Sequence, residues 1–268
     1  MPTPPRALII NCDDLGSSHG ANLAIRRAIT QGVARSATLM VPCPWALEGA
    51  RMLAGADVGV HLTFTAEYPA YRWRSLTGAV SLHDEEGFFP ATTEAAIAKA
   101  RPEDIYLEGR AQIAQALAWG VDVTHLDSHM GVVQVDARLF EIYLDLAVEF
   151  RLPLRMVGPK ADAAMGFEAR RRAAERGVLF TDHFIPHWPN DTRAMLSDLL
   201  PNLRPGVTEV YAHPVEDGPE LRAYDPDQPD LRANDAVALI DPGLAARAAL
   251  LGVALQSYRP LRDRQRAA

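Results

Sequence analysis

An α/β fold built as a parallel barrel is the class this sequence predicts, and two observations carry the prediction. Short apolar, β-rich runs alternate with stretches of helical periodicity, which marks βαβ units rather than a sandwich or a bundle. The runs number about eight, the count expected of a closed parallel barrel. With 268 residues and 48% hydrophobic content, the chain can build one large core but not two generous ones, so one domain over 1–268 is expected.

The elements follow in order. The first run, 7–12, leads directly into a helix that Ser17 or Ser18 can cap, with Ala21, Ile25, Ala28 and Ile29 on one face and Gly32 to stop it. Runs at 37–41 and 58–64 come next, and then a long excursion at 65–101 that carries Tyr68, Tyr71, Trp73, Phe88 and Phe89. Helix 102–119 precedes the run 121–126, helix 136–150 the run 154–157, helix 161–176 the run 178–184, and helix 192–200 the run 208–212. A second excursion at 215–234 is rich in Pro and Asp, and helix 244–251 and the run 253–258 complete the pattern. Long strand-to-helix loops of this kind tend to build the substrate site.

Composition excludes several classes. The net charge of -7 comes from 34 acids against 27 bases, and no basic block precedes the tail Arg262-Asp263-Arg264-Gln265-Arg266, so nucleic acid is not an expected partner. No apolar stretch approaches the roughly 18 to 20 residues of a membrane span. The start, Met1-Pro2-Thr3-Pro4-Pro5, has neither a basic nor a hydrophobic leader region, so a soluble cytoplasmic protein is expected. Cys12 and Cys43 make neither a disulfide framework nor a cysteine zinc site.

Catalytic groups of a parallel barrel gather at the C-terminal ends of its strands. Here those positions are polar: Asp13 and Asp14 follow the first run, His61 lies in the third, and the fourth runs into His125, Asp127 and His129. Asp182 and His183 lie in the sixth and His213 after the seventh. Imidazoles and carboxylates converging on one mouth are what a divalent ion needs, with a position left for water. A turn at the strand end would let one carboxylate of the Asp13-Asp14 pair bind metal while the other reaches the water. Each residue alone has an ordinary reading: an acid pair at a helix start, a core histidine in a strand, a turn at Asp127-Ser128, an ion-pair partner at Arg155. The collective placement favours chemistry.

Four segments then resemble a known family. Asn11-Cys12-Asp13-Asp14-Leu15-Gly16 with Gly20, Asn22 and Ile25 resembles the opening N-A-D-D-F-G of the YdjC-like carbohydrate deacetylases. Val58-Gly59-Val60-His61-Leu62-Thr63 matches their G-V-H-L-T, Thr124-His125-Leu126-Asp127-Ser128-His129 their T-H-L-D-S-H, and Ala212-His213-Pro214 resembles C-H-P. The resemblance implies a distorted (β/α) barrel of about seven to eight mainly parallel strands. It implies that Asp14, His61 and His129 bind one divalent metal, Mg²⁺ or Zn²⁺ ahead of Ni²⁺ or Co²⁺, with Asp13 as general base. His125 stands close behind the ligands and, with Arg155, Trp73 and Tyr71, is a candidate substrate contact. His213 is the candidate proton donor to the leaving amine. The implied reaction removes an N-acetyl group from an amino sugar or short oligosaccharide, and the implied assembly is a homodimer. One departure follows His129, where the family's further histidines are replaced by Met130-Gly131-Val132-Val133-Gln134, a change that bears on the substrate. Alternatives on the same barrel are a lactam or amide hydrolase, an O-acyl ester hydrolase, and a carbohydrate-binding relative without turnover.

Overall fold

In the computed structural model, which describes residues 5–267, seven strands form one sheet. They are β1 (Arg6–Leu15), β2 (Ser36–Leu39), β3 (Val58–Leu62), β4 (Leu126–Ser128), β5 (His183–Phe184), β6 (Gly206–Ala212) and β7 (Ala254–Leu255). All pairings are parallel, in the order β4-β3-β2-β1-β6-β5. β1 is the axis of the sheet: its residues after Arg6 are all buried, as the apolar run Ala7-Leu8-Ile9-Ile10 of a parallel strand covered on both faces should be. One edge of β1 pairs with β6 from Arg6 to Cys12, while β7 takes Ala7 and Leu8 and β2 takes Asn11 to Leu15.

The sheet curls into a half-barrel. Two single-residue bridges, Leu126 with Leu154 and Leu154 with Phe180, lead from β4 across the remaining side towards β5. This is the distorted α/β barrel that the alternation of runs and helices implies, and its distortion has local causes. The expected strand 154–157 is reduced to Leu154, because Pro153 has no N–H to donate and Pro159 opens a 3₁₀ turn at Pro159–Ala161. The expected strand 178–184 survives as the Phe180 bridge and β5. The expected strand 121–126 moves forward, since β4 is held by polar residues: Asp127 and Ser128 pair in register with His61 and Leu62. Apolar runs underestimate a strand whose end faces a polar cavity.

Helices mostly fall where periodicity places them. Ser18, not Ser17, caps the helix His19–Thr30, its side chain accepting from the Ala21 N–H. The expected helix 161–176 breaks into Asp162–Met165 and Ala169–Glu175, because Gly166 adopts φ 75° and ends the first piece. The excursions are more ordered than loops: 65–101 contains the helix Thr93–Lys99, and 215–234 contains Pro219–Tyr224 and the start of Pro229–Leu239. Among the described residues no helix is long and apolar enough to cross a membrane. Cys12 and Cys43 are buried free thiols, and Met1 to Pro4 lie outside the described residues.

Candidate metal centre

The site begins with a fault in β1. Its register against β2 shifts between Cys12 and Leu15, and Asp14 takes the left-handed backbone conformation at φ 64°. That region is costly for a residue with a side chain and persists only where the surroundings impose it. The bulge turns the chain so that consecutive carboxylates, Asp13 and Asp14, line one cavity instead of opposite faces. His61 projects from β3 opposite Asp127 of β4, and its Nδ1 is hydrogen-bonded to Asp127 Oδ1, which leaves Nε2 for the cavity. His129 starts the turn after β4, where Met130 and Gly131 both have positive φ, and its Nε2 lies 3.0 Å from Glu67 Oε2.

These elements bring three donor atoms together. Asp14 Oδ1 is 3.4 Å from His61 Nε2 and 3.4 Å from His129 Nδ1, and the two nitrogens are 3.3 Å apart. Ligands about 2.0–2.1 Å from a tetrahedral ion lie about 3.3–3.4 Å from one another, so this triangle has the edge length of three ligands on one ion. Asp14 Oδ1 is buried without a hydrogen-bond partner, a state that a buried carboxylate oxygen rarely tolerates. His61 held by a carboxylate through its far nitrogen is the usual arrangement behind a metal-binding imidazole. A second cluster, Asp13, His61 and Asp127, is close enough to hold an ion, but its carboxylates are already engaged by Arg155.

The electrostatics point the same way. Burial disfavours a charged imidazole, yet Asp127, Asp14 and Asp13 outweigh it and raise His61 to about 10. Glu67 and Asp14 likewise outweigh burial and raise His129 to about 9. The field at the triad therefore stabilises positive charge, which a divalent ion supplies in place of two protons.

Asp13 sits in a different field. Arg155 donates to both of its oxygens, from Nη1 to Oδ2 at 2.6 Å and from Nη2 to Oδ1 at 2.8 Å, and Asn11 Nδ2 donates to Oδ1 at 2.8 Å. Burial would raise this carboxyl, but the charge and hydrogen bonds of Arg155, helped by His61 and His213, hold it at about 2. Of the roughly four acceptor positions of a carboxylate, one on Oδ2 is left. That oxygen is 4.0 Å from His213 Nε2. Burial, with Arg232 and His61, holds His213 down at about 4 against the pull of Asp14 and Asp13, so its imidazole is neutral near pH 7. Arg155 also bonds Asp127 Oδ2 at 2.8 Å and Glu209 Oε1 at 2.7 Å.

All of Asp13, Asp14, His61, His129, Arg155 and His213 line one cavity of about 690 Å³. Three other candidates do not. His125 is fully buried, stacked on Tyr258 with ring centres 3.8 Å apart, and an added Cβ at Gly59 would stand 2.5 Å from its Nδ1. Gly59 is what admits that ring, and His125 lies outside the cavity lining. Trp73 is buried with its Nε1 donating to Thr65 O at 2.7 Å, and the Tyr71 hydroxyl donates to Ser17 O at 2.5 Å. Both pack the excursion onto the body, and neither lines the cavity.

The cavity's aromatic lining is instead Tyr68, Phe184, Trp188 and Tyr211, with the Trp188 ring 4.4 Å from that of His213. Arg232 is a larger omission from the sequence reading: it donates to Asp14 Oδ2 at 2.9 Å, to Asp225 Oδ2 at 2.7 Å and to the Tyr68 hydroxyl at 2.8 Å. No spacing signal marks it, because it reaches the first strand from a helix 218 positions away. Trp188 carries no such signal either, since it stands in the loop beyond the run 178–184.

Similarity to known proteins agrees with this architecture. A carbohydrate deacetylase of Thermus thermophilus is 38% identical over 246 residues, covering 88% of this chain and 87% of that protein. A carbohydrate deacetylase of Geobacillus stearothermophilus is 33% identical over 261 residues, covering 95% and 98%. The crystal structure of an Enterococcus faecalis protein shares the fold with a TM-score of 0.82 over 96% of this chain and 99% of its own, at 24% identity. The model of YdjC-like proteins matches residues 7–249, nearly end to end, and on that match and those relatives this chain belongs to the YdjC-like family.

Proposed function

We propose that this protein is a metal-dependent carbohydrate deacetylase that hydrolyses the N-acetyl group of an amino sugar or short oligosaccharide. One observation carries the reading: the unpartnered Asp14 Oδ1 and the nitrogens of His61 and His129 stand 3.3–3.4 Å apart in a cavity shared with Asp13. The relatives from Thermus and Geobacillus, both named carbohydrate deacetylase, support the substrate class. Asp14, His61 and His129 would hold the ion, Mg²⁺ or Zn²⁺ ahead of Ni²⁺ or Co²⁺. Bound there, it supplies Lewis-acid polarisation of a carbonyl and eases the deprotonation of water.

The chain's own residues move the proton. Asp13 takes it from the attacking water as oxygen bonds to the acetyl carbon. A carboxylate held at about 2 is a weak base, so its contribution is position: Arg155 fixes the group and leaves one acceptor site on Oδ2. His213, neutral and 4.0 Å from that oxygen, receives the proton and passes it to the nitrogen as the C–N bond breaks. Phe184, Trp188 and Tyr211 offer the faces on which a pyranose can lie.

Acetate release from N-acetylated mono- and disaccharides by metal-reconstituted protein tests the reading. Asp13→Asn should keep stoichiometric metal yet lose about 10²–10⁴-fold in kcat, the usual loss for a general base. His129→Ala should lose the metal itself. Stoichiometric metal binding without acetate release from any sugar would overturn the deacetylase assignment in favour of another acyl substrate.

A further inference from the structure

A neutral imidazole has one nitrogen free for a metal, and the hydrogen bond made by the other nitrogen sets which one that is. For His61 the partner is Asp127 of β4, buried and itself bonded by Thr38 and Arg155. His61 therefore presents Nε2, and the strand pairing that sets Asp127 beside it also sets its ring. His129 presents the opposite atom, Nδ1. It opens a turn whose next residues, Met130-Gly131-Val132-Val133-Gln134-Val135, carry no carboxylate to hold the ring from behind.

The carboxylate comes from the first excursion. Glu67 Oε2 lies 3.0 Å from His129 Nε2, 62 positions away in the chain. With a carboxylate as acceptor, Nε2 carries the proton and Nδ1 keeps its lone pair for the cavity. Half a turn of the ring about Cβ–Cγ would put carbon at both places, so Glu67 fixes the ring as well as the tautomer. Glu67 is not part of the group of donor atoms within 4.8 Å of one another that Asp14, His61 and His129 form. Its neighbours hold it in place: the Ala66 N–H donates to Pro90 O at 2.9 Å, and the Tyr68 hydroxyl accepts from Arg232 at 2.8 Å. From the same excursion Thr93 Oγ1 donates to Met130 O at 2.9 Å. The excursion thus grips the turn at the His129 ring and at the Met130 carbonyl. Met130 has φ 50°, a conformation that persists only where contacts impose it.

From this arrangement we infer that Glu67 is a positioning residue of the metal centre: it selects Nδ1 of His129 as the ligand atom and holds that ring on the ion. The inference rests on the metal centre proposed above and adds to it a residue of the first excursion. A carboxylate behind a metal-bound imidazole also makes the imidazole a stronger ligand. Asp127 does this for His61 from within the sheet, and Glu67 does it for His129 from a loop.

The test measures Zn²⁺ affinity by competition with a chelator, and the ring-nitrogen NMR signals of His129 in the Zn²⁺-loaded protein. In the wild type Nδ1 should carry the metal and Nε2 the proton. Glu67→Ala should weaken Zn²⁺ binding about 10–100-fold, the usual loss when the group behind a metal-bound histidine is removed. Glu67→Gln, which keeps an acceptor oxygen without the charge, should fall between the two. The Glu67 side chain is 22% exposed, so neither change opens a hole in the core. Tyr71→Phe loosens the same excursion away from His129 and should bind Zn²⁺ within about twofold of the wild type. An affinity in Glu67→Ala within about twofold of the wild type, or an equal loss in Tyr71→Phe, would overturn the role of Glu67. Zn²⁺ on Nε2 of His129 would overturn it as well. None of these readouts requires turnover, so failure of the deacetylase reading leaves them intact, whereas a wild type that binds no Zn²⁺ overturns the metal centre and the role of Glu67 together.

Discussion

The two excursions from the barrel, 65–101 and 215–234, have the same expected role in sequence and meet the cavity to different extents in structure. The first is aromatic and mostly turns inward: Trp73 and Phe89 are buried, Tyr71 is tied to Ser17, and only its start, Glu67, Tyr68 and Pro69, lines the cavity, with Glu67 against His129. The second is polar, and it sends Asp225, Pro226, Asp227, Gln228 and Arg232 to the cavity, with Arg232 in contact with a proposed metal ligand. Aromatic side chains with satisfied polar atoms fasten a loop, whereas a buried ion-pair network needs an architecture around it and tends to mark the site. Aromatic composition thus packs most of the first excursion onto the body, and polar composition brings the second to the cavity.

Breaking the second excursion should have the largest effect. Arg232→Met leaves Asp14 and Asp225 as buried carboxylates without their cation, and roughly 3–5 kcal/mol of stability should be lost in urea unfolding. A loss under about 1 kcal/mol would mean that the network is solvated and the contrast overstated.

A pH profile sharpens the same contrast. Asp235, on the helix Pro229–Leu239, accepts from the backbone N–H of His213 at 2.8 Å, and burial raises its carboxyl from 3.8 to about 6. The folded chain holds this proton more tightly than the unfolded one. Its contribution is therefore fully present below about pH 3.8 and is lost as the pH rises through about 6. Over that window the wild type should lose about 3 kcal/mol relative to Asp235→Asn, whose amide carbonyl can still accept from His213. Parallel stability profiles for the two proteins would show that Asp235 ionises normally.

The smallest effect belongs to the first excursion. Tyr71→Phe removes one hydrogen bond to Ser17 O and should cost about 1 kcal/mol of stability with KM for the sugar unchanged. A several-fold rise in KM instead would return Tyr71 to the substrate and collapse the distinction between the two excursions.

Much of the site was legible because its residues stand at strand ends. Asp13, Asp14, His129 and His213 each follow an apolar run and His61 stands near the end of one, and parallel strands deliver such positions to one mouth whatever the exact registers. His125 shares that address yet faces Tyr258, since which side of the chain a residue shows depends on the local register, and β4 begins one residue after it. Arg232 and Trp188 were not legible as site residues, because their approach depends on how helix and loop pack and not on any local pattern.

By itself, then, the sequence determined the alternation that makes an α/β barrel, the capped first helix, and the polar strand ends that gather acids and imidazoles. These follow from periodicity, turn chemistry and side-chain type, which act over a few residues. Only the tertiary structure decided that Asp14 would leave the regular strand conformation to face the same cavity as Asp13, that Arg155 would engage three buried carboxylates, and that Arg232 would reach Asp14. Those outcomes depend on low-dielectric contacts between segments far apart in the chain, where a charge is stable only beside the partner that folding brings to it.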